Sequence, residues 1–353
     1  MSEKVDIEDQ QTGSDDLYER FVLKTDKGQQ PIRIDIFLKT RIESATRNKV
    51  QQAINAGLVL VNKIPVKQNY KIKPLDEIIV YSDMTPHDTE IVPEKIDFNI
   101  VYEDEDVMII NKEAGMVVHP GSGNYRGTLL NGIAWHLQQK DPAITDEILP
   151  RFGLVHRIDK NTSGLLLLAK NEKSLSHLAK QFFDHTVSRK YVALVWGDIK
   201  EAEGTIIAHI GRNLRFRKEF AAYPEGDHGK EAITHYKVLE RFNYVTLVEC
   251  VLETGRTHQI RVHMKYLGHP VFNDDFYGGD KIVKGTVFTK YRQFVDNCFA
   301  ICKRQALHAK TLGFIHPTSK KEMFFESEMP EDMLQVIEKW RKYVSGAGIL
   351  KKK

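Results

Sequence analysis

The six-residue apolar run at 164–169, Gly-Leu-Leu-Leu-Leu-Ala, constrains this chain more than any other stretch. An amphipathic helix or a half-buried strand would interrupt such a run with polar side chains. It is too short for a free-standing helix and far below the roughly 20 residues that span a bilayer. What remains is a strand buried on both faces, which requires layers above and below a central sheet. The flanking sequence supplies them. Residues 107–110 read as a second buried strand, with further strands near 190–196, 232–240 and 244–253. Helical patterns cover 128–138 and 172–184, and a last helix starts after Pro330 with Met333, Ile337, Trp340 and Val344 on one face. Residues 98–345 are therefore expected to form one α+β domain, a mixed and largely antiparallel sheet flanked by helices.

The N-terminal part reads differently. Ile34, Phe37, Leu38 and Ile42 recur at helical spacing, and a break at Glu43-Ser44 precedes a second helix over 46–56 that Gly57 would stop. Short strands at 58–61 and 78–80 complete a small α+β module over 18–82. Residues 1–17 carry six acids against the single base Lys4 and read as a disordered tail. Residues 83–97, with two prolines, read as a linker, and 346–353 as a basic tail. Net charge is only +3, but residues 31–82 hold nine bases against four acids, so the positive charge gathers in this module.

Three cysteines among 353 residues cannot form a disulfide framework, and the acidic start lacks the apolar stretch of a secretory signal. A cytoplasmic protein is expected, with no membrane association and no internal repeat. Cys298, Cys302 and His308 lack an obvious fourth zinc ligand and read better as buried core, so no metal is expected. The glycines of 121–127 have the wrong spacing for a phosphate loop, and Ser163 lacks the frame of a hydrolase nucleophile.

Three polar segments carry the chemistry. Gly153-Leu-Val-His-Arg-Ile-Asp-Lys-Asn-Thr-Ser-Gly164 runs into the buried strand, so it is a loop at a sheet edge. An extended backbone there would turn Arg157 and Asp159 to one side and anchor Ile158 in the core, although a solvated ion pair on a surface turn is the plainer reading. Thr254-Gly-Arg-Thr-His-Gln-Ile-Arg261 follows a strand; Thr257 could cap a helix reaching Gly268. Arg256 and Arg261 are then either exposed helix charges or, for Arg261, the partner of a buried carboxylate, a pairing that keeps an aspartate ionised where desolvation opposes it. In the basic-led strand at 188–195, Tyr191 is either a core residue with its hydroxyl at the rim or a stacking surface for a base.

The segment HRIDKNTSG resembles the H-R-L-D-x-x-T-S-G signature of the RluA-type pseudouridine synthases, with Ile158 in place of the usual leucine. TGRTHQIRVH, RKYVALVWG, VVHPGSGN, Asp275-Phe-Tyr-Gly-Gly279 and Leu307-His308-Ala309 are similar to that family's other motifs and occur in its order. The N-terminal module is similar to the S-four-type RNA-binding module. Together the resemblance covers roughly residues 20–340.

The resemblance implies an RNA-modifying enzyme that isomerises uridine to pseudouridine without a cofactor. Its catalytic aspartate maps onto Asp159, the arginine that pairs with it onto Arg261, and the active-site tyrosine onto Tyr191. Arg157 matches the arginine that fills the helix where the target base leaves. Asp159 would attack either the base or the sugar, and Tyr191 would serve as a base or relay. Arg33, Arg47 and Lys49 of the module, with Arg256, are the expected RNA contacts. The expected partner is structured RNA, large-subunit (23S) ribosomal RNA before transfer RNA, bound by a monomer. The alternatives are a non-catalytic RNA-binding or ribosome-assembly factor on the same fold and, more remotely, a hydrolase of another glycosidic bond.

Overall fold

In the computed structural model, the described residues are 18–42, 47–55, 57–82, 91–121, 124–214, 216, 219–286 and 288–346. The apolar run becomes strand β7 (Ser163–Ala169), in which every residue is buried. Leu166 and Leu168 face one core, and Leu165, Leu167 and Ala169 face another, so the strand is covered on both sides as its composition requires. Contacts divide the chain into two units. Met1–Glu90 with Gly121–Tyr125 forms one, and Ile91–Pro120 with Arg126–Lys353 the other.

In the larger unit, β5 (Asn99–Glu103) and β6 (Val107–Lys112) continue the sheet on one side of β7. On the other side lie β13 (Leu307–Ile315), β8 (Ser188–Trp196), β12 (Val245–Leu252), β11 (Lys230–Arg241), β9 (Glu203–Arg212) and β10 (Phe220–Tyr223), in that order. A short β14 (Glu322–Glu326) pairs with β13. Every pairing among these strands is antiparallel except β7 with β13, which are parallel and meet only at Ser163–His308 and Gly164–Ala309. Gly164 has φ +114°, and a Cβ there would collide with the Ala309 carbonyl, so the contact needs glycine. Beyond this point the two strands separate, and the Leu167 N–H donates to His156 Nε2 at 2.9 Å instead of to a strand. The segment that carries Asp159 is thus wedged against the diverging strands at the middle of the sheet.

Helices close the faces. α3 (Leu129–Lys140) starts with a reciprocal cap between Thr128 and Asn131, and α4 (Glu172–Phe183) with Asn171 accepting from the Ser174 N–H at 2.9 Å. α5 (Gln259–Tyr266), α6 (Thr289–Ile301) and α7 (Glu331–Gly346) complete the set. α6 and α7 pack Val295, Cys298, Val336 and Trp340 against Trp196 and Phe272. Cys298 and Cys302 are buried in this core, where desolvation pushes both thiols up to about 12.

The smaller unit holds β1 (Tyr18–Lys24), α1 (Ile34–Arg41), α2 (Arg47–Asn55), β2 (Val59–Val61), β3 (Ile64–Pro65) and β4 (Glu77–Ser82), with sheet order β1-β4-β2-β3. Ile34, Phe37, Leu38, Val50 and Ile54 pack on the sheet, and Gly57 ends α2 with φ +73°. The expected break at Glu43-Ser44, the acidic tail, most of the linker and nearly all of the basic tail lie outside the described residues. No helix among the described residues is long and apolar enough to cross a membrane.

Candidate active site

The loop before β7 sets Ile158 into the core at 5% exposure, while Arg157 is exposed and the Asp159 side chain is one-fifth exposed. The alternation of an extended backbone accounts for this division. Asp159 Oδ2 accepts from Arg261 Nη1 at 3.1 Å. The other edge of the same guanidinium grips Asp274 as a fork, Nε to Oδ2 at 2.7 Å and Nη2 to Oδ1 at 2.8 Å. Asp274 is fully buried, and its Oδ1 also accepts the N–H groups of Phe276 and Tyr277. Burial works against the charge on Arg261, but the hydrogen bonds and charge of Asp274 outweigh it, so its pKa stands above the ordinary value. The guanidinium therefore spans a closed carboxylate behind and an open one in front.

His258 completes the wall. It precedes α5 with a left-handed backbone, φ +57°, and its Nδ1 lies 2.7 Å from the Tyr277 hydroxyl, which itself accepts the Phe220 N–H. Its Nε2 lies 3.9 Å from Asp159 Oδ1. Desolvation lowers the imidazole pKa against the opposing pull of the Asp159 charge, and burial pushes the Tyr277 phenol up to about 12. The Phe276 ring, 42% exposed, stands with its centroid 5.5 Å from the Arg261 guanidinium.

Thr257 is not the cap of α5, contrary to expectation. The residue before the helix is His258, which makes no side-chain cap. Gln259 organises the turn instead: its Oε1 accepts from the Arg256 N–H and the Thr254 hydroxyl, and its Nε2 donates to the Ile233 carbonyl. A long amide reaches both the turn and strand β11, which a threonine hydroxyl cannot.

Two buried basic side chains fix the backbone that follows Asp159. Lys112 Nζ donates to the carbonyls of Glu113, Met116 and Lys160 at 2.7, 3.0 and 3.0 Å, and burial pushes its pKa down to about 7. Arg304 Nη1 donates to the Asn161 carbonyl at 3.1 Å while its other edge forks onto Asp332. The Thr162 N–H closes the turn onto the Asp159 carbonyl.

Of the residues singled out in the sequence, Asp159 and Arg261 are in direct contact. Tyr191 is buried on β8, near enough for the Asp159 charge to act on its phenol, and desolvation raises its pKa. Arg256 is half-buried at the loop before α5, with Nε on the Glu231 carbonyl. Arg33 and Arg47 belong to the smaller unit and both hold the buried Asp35 carboxylate, at 3.0 and 3.2 Å. The Lys49 side chain lies outside the described residues. Sequence reasoning missed Asp274, His258, Lys112 and Arg304. Asp274 was within reach, since it is the first of two consecutive acids directly before the Phe-Tyr-Gly-Gly segment.

Comparison with known proteins decides the lineage. The sequence profile of RNA pseudouridylate synthases matches residues 106–266, and that of the S4 domain matches residues 32–78. An uncharacterized RNA pseudouridine synthase of Chlorobaculum parvum is 47% identical over 320 residues, 90% of this chain and 97% of that protein. This chain belongs to the RNA pseudouridine synthase family. It is an isomerase with an RNA-binding S4 domain. A ribosomal large subunit pseudouridine synthase D of Zymomonas mobilis is 40% identical over 303 residues, 85% of this chain and 91% of that one. The fold recurs in human RNA pseudouridylate synthase domain containing 4, with TM-score 0.54 and 21% identity over 69% of this chain and 93% of that one.

Proposed function

We propose that this pseudouridine synthase isomerises uridines of large-subunit ribosomal RNA, with Asp159 as the catalytic carboxylate. The observation that carries the reading is the Asp274–Arg261–Asp159 array. Asp274 saturates one edge of a buried guanidinium, so Arg261 cannot swing away, and its remaining Nη1 aims one oxygen of Asp159. Among the described residues Oδ1 makes only a long approach to His258, which leaves it for the substrate.

The reaction breaks the bond between uracil N1 and the ribose carbon, turns the base and joins C5 to the same carbon. The proton on C5 leaves and N1 gains one, so electrons balance without an oxidant. Asp159 either takes up the ribose or base as a nucleophile or steadies the positive charge that develops on the sugar. Arg261 is a positioning residue, and Tyr191 a flat wall beside the carboxylate. Its raised pKa favours a neutral hydroxyl that relays a proton over a phenolate that abstracts one. Arg157, exposed two residues before Asp159, would occupy the gap left by an extruded base and so offset part of the few kcal/mol of unstacking.

In this reading residues 18–82 form the RNA-binding module, 83–97 the linker and 98–345 the catalytic domain of a cytoplasmic monomer. Arg33, Arg47 and Lys49 would contact phosphates, with Arg256 at the catalytic site. The ribosomal substrate is supported by the named function of the relatives at about 40% identity. The test is to map pseudouridine in total RNA from cells with and without this protein. Loss at discrete large-subunit positions is expected; loss confined to transfer RNA would overturn the ribosomal assignment.

A further inference from the structure

Three arginines of the catalytic unit are buried, and two of them grip carboxylates. Arg261 forks onto Asp274 and Arg304 onto Asp332. The third, Arg189, is 7% exposed and makes no ion pair or side-chain hydrogen bond among the described residues. Its Nε is buried without an acceptor. A buried donor without an acceptor costs about 1–3 kcal/mol, and the guanidinium's position over the Phe182 ring, 5.2 Å from its centroid, offsets only about 0.5–2 kcal/mol.

Arg189 and Tyr191 stand two residues apart on β8 and so project from one face of the sheet. The charge of Arg189 reaches Tyr191 and His156, neither of which can neutralise it. Tyr191 is a phenol whose pKa burial raises, and the Nε2 acceptor of His156 is occupied by the Leu167 N–H. The guanidinium lies instead against Gly255, where an added Cβ would stand 3.2 Å from Nη1 and 3.9 Å from Nη2. Gly255 belongs to the loop that leads to His258 and α5. A planar cation with unsatisfied donors, beside the tyrosine that flanks Asp159, matches an anion with several acceptor oxygens.

We propose that Arg189 is the floor of a phosphate-binding subsite, filled by a backbone phosphodiester of the substrate RNA next to the target uridine. This rests on the reading of the site around Asp159 as the place of uridine isomerisation. The phosphate supplies a counter-ion that the described residues do not, so RNA binding and satisfaction of the buried Nε donor are one event. Gly255 leaves the guanidinium room to meet it.

The test uses the full chain, its Arg189→Met variant and a ribosomal RNA fragment that the wild type modifies. Arg189→Met should melt at the wild-type temperature or above it, because a buried donor without an acceptor is gone. It should bind the RNA about 10- to 100-fold more weakly, with a salt dependence shallower by about one phosphate contact. Replacing single linkages around the target uridine by neutral methylphosphonates should reveal one position that weakens wild-type binding about 10-fold and leaves Arg189→Met unaffected. A variant that melts several degrees lower yet binds with unchanged affinity and salt slope would make Arg189 structural and overturn the proposal. If Arg189→Met fails to fold, Arg189→Lys serves: a reduced penalty at one linkage supports the subsite, and the same penalty at every linkage as in the wild type refutes it. Failure of the wild type to make pseudouridine in any ribosomal fragment would instead sink the functional reading beneath it.

Discussion

The two units solve the same problem in opposite ways. In the S4-containing unit one buried carboxylate, Asp35, is held by two arginines whose side chains are 40% and 52% exposed. In the catalytic unit one buried guanidinium, Arg261, is held between two carboxylates, only one of which reaches solvent. The first cluster has one positive charge in surplus and displays it outward, which suits an RNA phosphate. The second has one negative charge in surplus and directs it into a site, which suits a reacting sugar or base. The difference lies in which partner water can replace. An arginine on the surface keeps its hydration when its carboxylate is lost, whereas Arg261 has nowhere else to go.

That contrast is broken most sharply by removing the buried acid from each cluster. Asp274→Ala removes the fork that holds Arg261 and leaves it only the Asp159 carboxylate, so it should cost about 3–5 kcal/mol of stability in the catalytic unit, read from the denaturant midpoint, along with most of the activity. A cost below about 1 kcal/mol would mean that Arg261 relaxes to solvent and that the two clusters are alike. Asp35→Ala removes a carboxylate whose pKa is held down to about 2 by hydrogen bonds from Gln51 and the two arginines, which outweigh desolvation. Because Arg33 and Arg47 can turn to water, it should cost only about 1–2 kcal/mol and leave the isomerisation step itself unchanged.

Acid separates the units between these extremes. Burial holds His156, His263 and His308 of the catalytic unit near 3, 4 and 4, below the usual 6.5. The unfolded chain then binds protons more readily than the folded one, so these groups withdraw stability as pH falls from about 6.5 towards 4. Residues 18–82 contain no histidine, and the contribution of Asp35 is lost only as pH falls from about 3.8 towards 2. Hydrogen exchange on the full chain at pH 5 and pH 7, corrected for intrinsic rates, should show the catalytic core losing protection first. Equal loss in both units would contradict the assignment.

Much of this architecture was legible in the amino-acid order because local pattern and tertiary role agree. The leucines of β7 face two cores, α3 and α4 begin on polar caps, and Gly57 ends α2 where a positive φ is needed. β13 escaped notice for a physical reason: a register shift between Ala309 and Thr311 breaks its alternation, so buried residues fall on different phases before and after it. In β9 the exposed Ile207 fills the gap between buried Ile206 and Ala208 and disguises a period of two. The pairing of Asp159 with Arg261 could be foreseen from the motifs. The buried side of the array could not, because Asp274, Lys112 and Arg304 act through contacts that only the folded chain brings together. Arg189 was read as part of a basic lead into a strand, and only its burial without a counter-charge among the described residues sets it apart.

The central claim is tested most directly by single-turnover conversion of a ribosomal RNA fragment with Asp159→Asn. The side chain keeps its shape and can still face Arg261, but it loses the negative charge. The account predicts that pseudouridine formation falls by at least about 1,000-fold while RNA affinity stays within about threefold. Product formed at the wild-type rate would contradict it.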